Sequence, residues 1–293
     1  MIVVTAPTSN IGSQLLDRLV DADAEVRVIA RDPSRIRPEV RERVEVVVGS
    51  HGDADVVDAA FDGAEAVFWL APPNDQADDL RSVYLDFLEP ALAAWDKRGV
   101  ARVVGVSALG RGTPMAARAG HVTYSLEMDD RIAASGVAYR ALTMPSFMDN
   151  LLGQAGALRN GMFFSPLPGD LKVPTCATRD IAAVAARELL DDGWTGFEEV
   201  PVLGPEDLSN FDQARILTDV LGRPIRFQHV PADAFRENLI TNAGMSEAVA
   251  QGMVDMMTAK GAGLDNAEPR TPRATTPTTF RTWCEEVLRP ALG

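Results

Sequence analysis

Apolar residues in the first half of the chain fall into short continuous runs, separated by longer stretches in which they recur every three or four positions. The runs at residues 2–5, 25–30, 44–48, 66–71, 102–107 and 138–143 read as strands; the stretches at 11–21, 54–61, 78–98 and 124–135 read as helices. VEVVVG and AVFWLA are apolar at nearly every position, and a strand of that kind is stable only when both faces of its sheet are covered. Strands of this type alternating with helices predict an α/β fold built on a doubly wound parallel sheet.

Past residue 150 the rhythm changes. The pattern predicts a dinucleotide-binding domain over residues 1–150 and a smaller α+β lobe over 151–293, interleaved with it. Residues 153–170, rich in Gly, Pro and Phe, predict irregular structure or a lid over a site. Thr178 is placed to cap a helix running through Leu190, and Ser209 to cap another that stops at Leu221 with Gly222 beyond it. PIRFQHV reads as a further strand, EPRTPRATTPTTF as a connector and FRTWCEEVLRPAL as the closing helix. The methionine-rich stretch 245–259 is amphipathic; adaptable core packing is the first reading and the wall of an apolar pocket the second.

The chemistry starts at VVTAPTSNIG, where the first strand runs through a tight turn into a helix. In a dinucleotide site the first glycine of this turn permits its geometry, the second admits the pyrophosphate and the third lets helix and strand pack closely. Those positions read Ala6, Ser9 and Gly12, so only the packing glycine is kept. The helix start still offers backbone N–H groups and a positive dipole end to an anion, although Pro7 donates nothing. At the end of the second strand, where NAD sites place an acid, stands Arg31, with Ser34 and Arg35 close behind. A guanidinium there pairs with the extra phosphate of NADP; taken alone, a solvated basic turn explains it equally well.

Charge and composition narrow the partners. A net charge of −14 on 293 residues repels a phosphate backbone, so small molecules rather than nucleic acids are expected. The sequence opens directly on a strand and carries no apolar run long enough to cross a bilayer, so a cytoplasmic protein with no membrane partner is expected. Cys176 and Cys284 lie far apart, and His51, His121 and His229 are scattered, so no metal site is expected. Oligomeric state leaves no mark on the sequence.

Six segments, VVTAPTSNIG, VRVIARDPSR, AVFWLAPP, RVVGVSALG, PSFMDNLL and GPEDLSNFDQARILTDVLGRPIRF, resemble in order and spacing the NmrA-like family of atypical short-chain dehydrogenases. The likeness covers nearly the whole chain, including the late TPTTFRTW. It implies a Rossmann domain with a small C-terminal lobe, NADP as cofactor and a substrate cleft between the two. Carried over by position, the phosphate loop falls on Thr5, Ala6, Thr8, Ser9, Asn10, Ile11 and Gly12, and the 2′-phosphate contact on Arg31. The cofactor wall falls on Leu70, Ala71 and Pro72, the nicotinamide ribose beside Ser107 and Ala108, and the nicotinamide beside Pro145 and Phe147. The chain departs from the family in its two lost glycines, in Ser50 where an acid is common, and in having no lysine in HVTYSLEMDDRIAASG.

In the wider superfamily a Tyr-x-x-x-Lys pair protonates the carbonyl oxygen during hydride transfer. Here Tyr124 is followed at the fourth place by Met128, so that pair is broken. Tyr124 remains a candidate hydrogen-bond donor, His121 a candidate proton relay and Ser107 a candidate donor to substrate; each also has a plain structural reading as a packed or capping side chain. The resulting expectation is an NADPH-dependent reductase of a small apolar or aromatic molecule of quinone, imine or enal type. Two alternatives stay open: a non-catalytic NADP-binding sensor, and a non-redox isomerase or cyclase that has lost the cofactor.

Overall fold

The computed structural model describes residues 1–293. The first half contains β1 (Ile2–Val4), α1 (Asn10–Asp21), β2 (Val26–Ala30), α2 (Pro38–Arg41), β3 (Glu45–Val48), α3 (Ala54–Ala60), β4 (Ala66–Trp69), α4 (Glu89–Arg98), β5 (Arg102–Ala108), α5 (His121–Ala134) and β6 (Ala138–Met144). The rest contains β7 (Ser146–Phe147), α6 (Ala155–Arg159), β8 (Met162–Ser165), β9 (Val173–Cys176), α7 (Thr178–Leu190), β10 (Phe197–Pro201), β11 (Asp207–Leu208), α8 (Asn210–Leu221), β12 (Arg226–His229), α9 (Ala232–Thr241), α10 (Glu247–Gly261), α11 (Phe280–Trp283) and α12 (Arg289–Leu292).

Seven strands form one parallel sheet in the order β10-β6-β5-β4-β1-β2-β3. Successive side chains alternate between its two apolar layers: Ile2 and Val4 enter one core and Val3 the other. From β1 the chain winds outward through β2 to β3, then returns to β4 on the opposite side of β1. The strand order therefore reverses between β1 and β4, and a crevice opens at their carboxyl ends, where sheets of this kind bind ligands. Thr5 clasps the two strand ends: its hydroxyl donates to the Phe68 carbonyl (2.9 Å) and accepts from the Leu70 N–H (3.0 Å).

The second half of the chain also contributes to this layer. β10 extends the sheet beyond β6, and α7 lies beside α1 on the same face, with Ala182, Ala185 and Ala186 in the shared core. A three-stranded sheet, β11-β9-β7, and the β8-β12 pair frame a lobe whose core includes Leu158, Phe163, Leu217, Phe280 and Trp283. Helix α10 crosses the start of α5 at a glycine contact: a Cβ on Gly120 would lie 2.1 Å from the Gly252 carbonyl oxygen.

Several expectations change. The helix expected over 78–98 is broken by a π-helical turn at Ser82–Asp86, and α4 starts afresh at Glu89, because Pro90 has no N–H to offer the Asp86 carbonyl and crowds it. Residues 153–170 are not irregular throughout but hold α6 and β8; β8 pairs with β12, more than sixty residues on, which local periodicity does not reveal. Thr178 is not a cap. It is the first residue of α7, and the cap comes from Asp149, whose carboxylate accepts from the Thr178 N–H (3.1 Å) and hydroxyl (2.8 Å). Ser209 caps α8 in a reciprocal box with Asp212, and Gly222 ends it in the left-handed region, as the spacing predicts.

The turn from β1 to α1 keeps the shape that glycine usually serves. Ala6 has φ of 49°, a conformation that disfavours a Cβ, and a Cβ on Gly12 would lie 2.2 Å from the Ala6 carbonyl oxygen. Two substitutions should therefore act in opposite directions. Ala6→Gly relieves roughly 1–2 kcal/mol of backbone strain against a smaller entropic cost of roughly 0.4–1 kcal/mol in the unfolded chain, and should raise the denaturation midpoint slightly at constant slope. Gly12→Ala should lower it by more than Ala6→Gly raises it, since backbone must move; equal and small effects in urea unfolding would contradict this account of the turn.

Candidate functional site

At the β1–β4 crevice lies a cleft of about 350 Å³ lined by Ala6, Pro7, Thr8 and Ser9 from the turn, Arg31 and Arg35 from the end of β2, and Leu70, Ala71 and Pro72 after β4. Ser9 caps α1: its hydroxyl accepts from the Gly12 N–H at 2.9 Å, and its own N–H donates to the Ala6 carbonyl. That bond uses one of the orphan donors of the helix and leaves the first two helical N–H groups, those of Asn10 and Ile11, for an anion. The Ile11 side chain is buried in the core, and that of Asn10 faces a different cleft, shared with Asp149 and Thr178. The Thr5 side chain is spent on the strand clasp, so it shapes the cleft from behind.

Of the three residues expected around the 2′-phosphate, the structure brings two into the cleft. Arg31 is exposed and in no ion pair, and Arg35 joins it along the wall. Ser34 does not line the cleft: its hydroxyl (2.6 Å) and N–H (3.0 Å) both donate to the Asp32 carboxylate, which these bonds hold below its ordinary pKa. The floor is formed by a residue without a predicted role, His51. Its Nε2 lies 3.0 Å from the Leu70 carbonyl, and its ring sits edge-on to Trp69 and Phe87. Burial lowers its pKa to about 4, so at neutral pH the ring is uncharged and Nε2–H donates to that carbonyl.

Leu70 and Ala71 are shared with a second chamber of about 200 Å³. Its walls include Ser107, Ala108, Phe147, His121, Met128, Tyr84 and Met256. The methionine-rich helix thus does line an apolar pocket through Met256, while Met245 packs in a satellite core beside Leu80 and Val249. Pro145 is buried beside this chamber in sequence but is not part of its surface.

The three catalytic candidates fare differently. Tyr124 does not line the chamber; it is packed among apolar residues that include Leu80 and Val83. Tyr84 stands at the wall instead, and its hydroxyl lies 3.2 Å from His121 Nδ1. His121 Nε2 faces the Val249 carbonyl of α10 at 3.3 Å, and burial lowers the pKa of the ring. The consistent arrangement is a neutral imidazole that donates from Nε2 to Val249 and accepts at Nδ1 from Tyr84, whose own pKa burial raises to about 12. His121 therefore ties α10 to α5, with both ring nitrogens committed. Ser107 is at the wall, and its hydroxyl donates to the buried carboxylate of Asp129, a residue with no role in the sequence reading.

Cleft and chamber together make an elongated site at the switch point, with a helix start and two guanidinium groups at one end and an uncharged apolar room at the other. This fits an extended dinucleotide whose phosphates meet the first end and whose nicotinamide enters the second.

Comparison with known proteins agrees with this geometry. Residues 8–192 match the family model described as NAD(P)H-binding. A reductase from Streptomyces griseus, (4-alkanoyl-5-oxo-2,5-dihydrofuran-3-yl)methyl phosphate reductase, is 33% identical over 98% of this chain and 97% of its own length. An NAD(P)H azoreductase from Xenophilus azovorans is 28% identical over 87% of this chain and 86% of its own. The fold matches that of NADPH-dependent quinone oxidoreductase QOR2 from Escherichia coli complexed with NADPH, with a TM-score of 0.77 and 20% identity over 98% of this chain and all of that one. The chain belongs to the NAD(P)H-binding family of Rossmann-fold proteins, in keeping with its NmrA-like resemblance.

Proposed function

We propose that the protein is an NADPH-dependent reductase of a small, uncharged, apolar or aromatic molecule. The observation that carries this reading is the wall of Leu70 and Ala71 common to both cavities, which sets a phosphate-receptive cleft beside a chamber with no lysine or arginine among its lining residues. The reductase activities in the names of the similar proteins support it. When bound, NADPH supplies hydride from its nicotinamide ring. The α1 start and Arg31 would hold its phosphates, Leu70 and Ala71 would support the middle, and Ser107, Ala108 and Phe147 would border the reacting end. Met256 and the His121 tether bring α10 to one wall of the chamber.

The name of the Streptomyces relative specifies a phosphate ester, a charged substrate. Chamber residues here offer such a group no cation, His121 is neutral, and nearby Arg111 is already bound to Glu199 (2.6 Å) and Asp130 (2.7 Å). Burying an unpaired phosphate costs several kcal/mol, so uncharged substrates are favoured.

Three measurements test this reading. Arg31→Ala should weaken NADPH binding by roughly 1.5–3 kcal/mol, typical of a charge-assisted contact, and leave NADH nearly unchanged; equal losses for both would remove Arg31 from the 2′-phosphate. A neutral quinone should be reduced with a kcat/KM at least roughly tenfold above that of its phosphate ester, and the reverse order would contradict the uncharged chamber. Tyr124→Phe, a change outside the chamber, should lower kcat by no more than about tenfold, whereas a loss near a thousandfold would make Tyr124 the proton donor.

A further inference from the structure

We propose that Ser107 and Asp129 form the proton relay of this reductase: Ser107 passes its hydroxyl proton to the reduced substrate, and Asp129 replaces it from behind. The proposal rests on the reductase reading above and assigns the proton that the broken tyrosine–lysine pair leaves without a donor.

Asp129 lies on the inward face of α5, fully buried, one residue past Met128. Two hydroxyls bind its carboxyl group from different strands, Ser107 of β5 at Oδ2 and Tyr139 of β6 at Oδ1 (2.5 Å). Its one ion-pair partner, Arg111, makes no hydrogen bond to it. Arg111 Nη2 is 3.8 Å from Oδ2, beyond hydrogen-bond reach, and its guanidinium is held by Glu199 of β10 and by the neighbouring Asp130. Burial outweighs the two hydroxyl bonds and the pull of Arg111, with a small addition from Glu199, and pushes the Asp129 pKa up to about 7. Burial also raises the Tyr139 pKa far above its ordinary value, so that hydroxyl remains a donor.

The order of these bonds gives the chain a direction. With Oδ1 taken by the Tyr139 hydroxyl, the acid proton of a neutral Asp129 belongs on Oδ2 and points at Ser107 Oγ. The Ser107 hydrogen is then free to turn into the chamber that Ser107 lines. When Asp129 is ionised, the Ser107 hydroxyl turns back to Oδ2. One bond reverses between the two states and nothing else has to move.

Reduction of a quinone to its hydroquinone consumes one hydride and one proton, the proton being needed as negative charge develops on the carbonyl oxygen. The hydride, with both electrons, comes with the cofactor. The Ser107 O–H bond breaks as its proton joins the substrate oxygen, and the Asp129 O–H bond breaks as its proton re-forms the Ser107 hydroxyl. Asp129 is left as carboxylate and regains its proton through Ser107 once product leaves and water enters. Hydride and this one proton bring the quinone to the hydroquinone level with no net charge; where the hydride has entered on carbon, that carbon loses a proton as the second oxygen gains one, an exchange with solvent that consumes none.

Two probes separate this role from a structural one: menadione, which needs the proton, and an N-methyl cyclic aryl iminium ion, which becomes a neutral amine on accepting hydride and needs none. Ser107→Ala and Asp129→Asn should each lower kcat for menadione about a hundredfold, within the range of general acid catalysis, and lower the ratio of menadione to iminium kcat at least about thirtyfold. In the unaltered enzyme kcat for menadione should fall as pH rises through about 7, as Asp129 loses its proton; both variants should lack that limb, and Ser107→Thr should recover it. Equal losses on both probes, or an unaffected menadione rate, would overturn the relay. If Asp129→Asn does not fold, Ser107→Ala alone decides, because it leaves Asp129 its Tyr139 partner. Should the unaltered protein bind NADPH and reduce neither probe, the reductase reading is what fails. The carboxyl carbon signal of Asp129 then judges the relay: titration near neutrality that shifts in Ser107→Ala supports it, and titration in the ordinary carboxylate range overturns it.

Discussion

The close approach of Gly12 to the Ala6 carbonyl is the constraint on which the site depends. With no room for a side chain between them, α1 can start directly above the end of β1, and the turn is compact enough to leave its first N–H groups facing the crevice. Ala6 accepts an unfavourable φ to keep that path, and Ser9 supplies the cap that steadies the helix start. The turn thus makes its tight course with Ala6 and Ser9 at two places where a dinucleotide fingerprint has glycine. What the turn lost is one donor, since Gly12 N–H is now used by Ser9 rather than offered to a ligand.

From that anchor the rest of the site follows along the sheet. The Thr5 clasp holds the ends of β1 and β4 together, and the residues beyond, Leu70 and Ala71, form the ridge shared by cleft and chamber. The α10 helix contributes Met256 to the chamber wall because Gly120 and Gly252 allow it to sit against α5, with His121 pinning it through Val249. The site is therefore apolar at the chamber and cationic at the cleft. That polarity suits a cofactor with charged phosphates and a nicotinamide reacting with an uncharged partner.

Much of this was legible in the sequence, for physical reasons. Buried parallel strands must be apolar on both faces, so β4 and β5 announce themselves in AVFW and RVVGVSA, and Arg31 stands where β2 ends. Features that depend on contacts distant in sequence were hidden. His51 meets Leu70, Tyr84 meets His121, and β8 finds β12, none of which leaves a local period. Asp129 did leave a signal: it sits among Val122, Ser125, Leu126 and Ile132 on the buried stripe of α5, where a carboxylate demands a partner. Tyr124 drew attention through the motif of the wider superfamily, yet the helix turns it into packing rather than toward the chamber.

Calorimetric titration of the unaltered protein with NADPH and with NADH tests the central claim most directly, namely that a turn reading Ala-Pro-Thr-Ser still holds a dinucleotide. One NADPH per chain, bound at least roughly tenfold more tightly than NADH, is the result predicted from the helix start and Arg31. Absence of heat with either nucleotide at millimolar concentration, or equal affinity for the two, would contradict it.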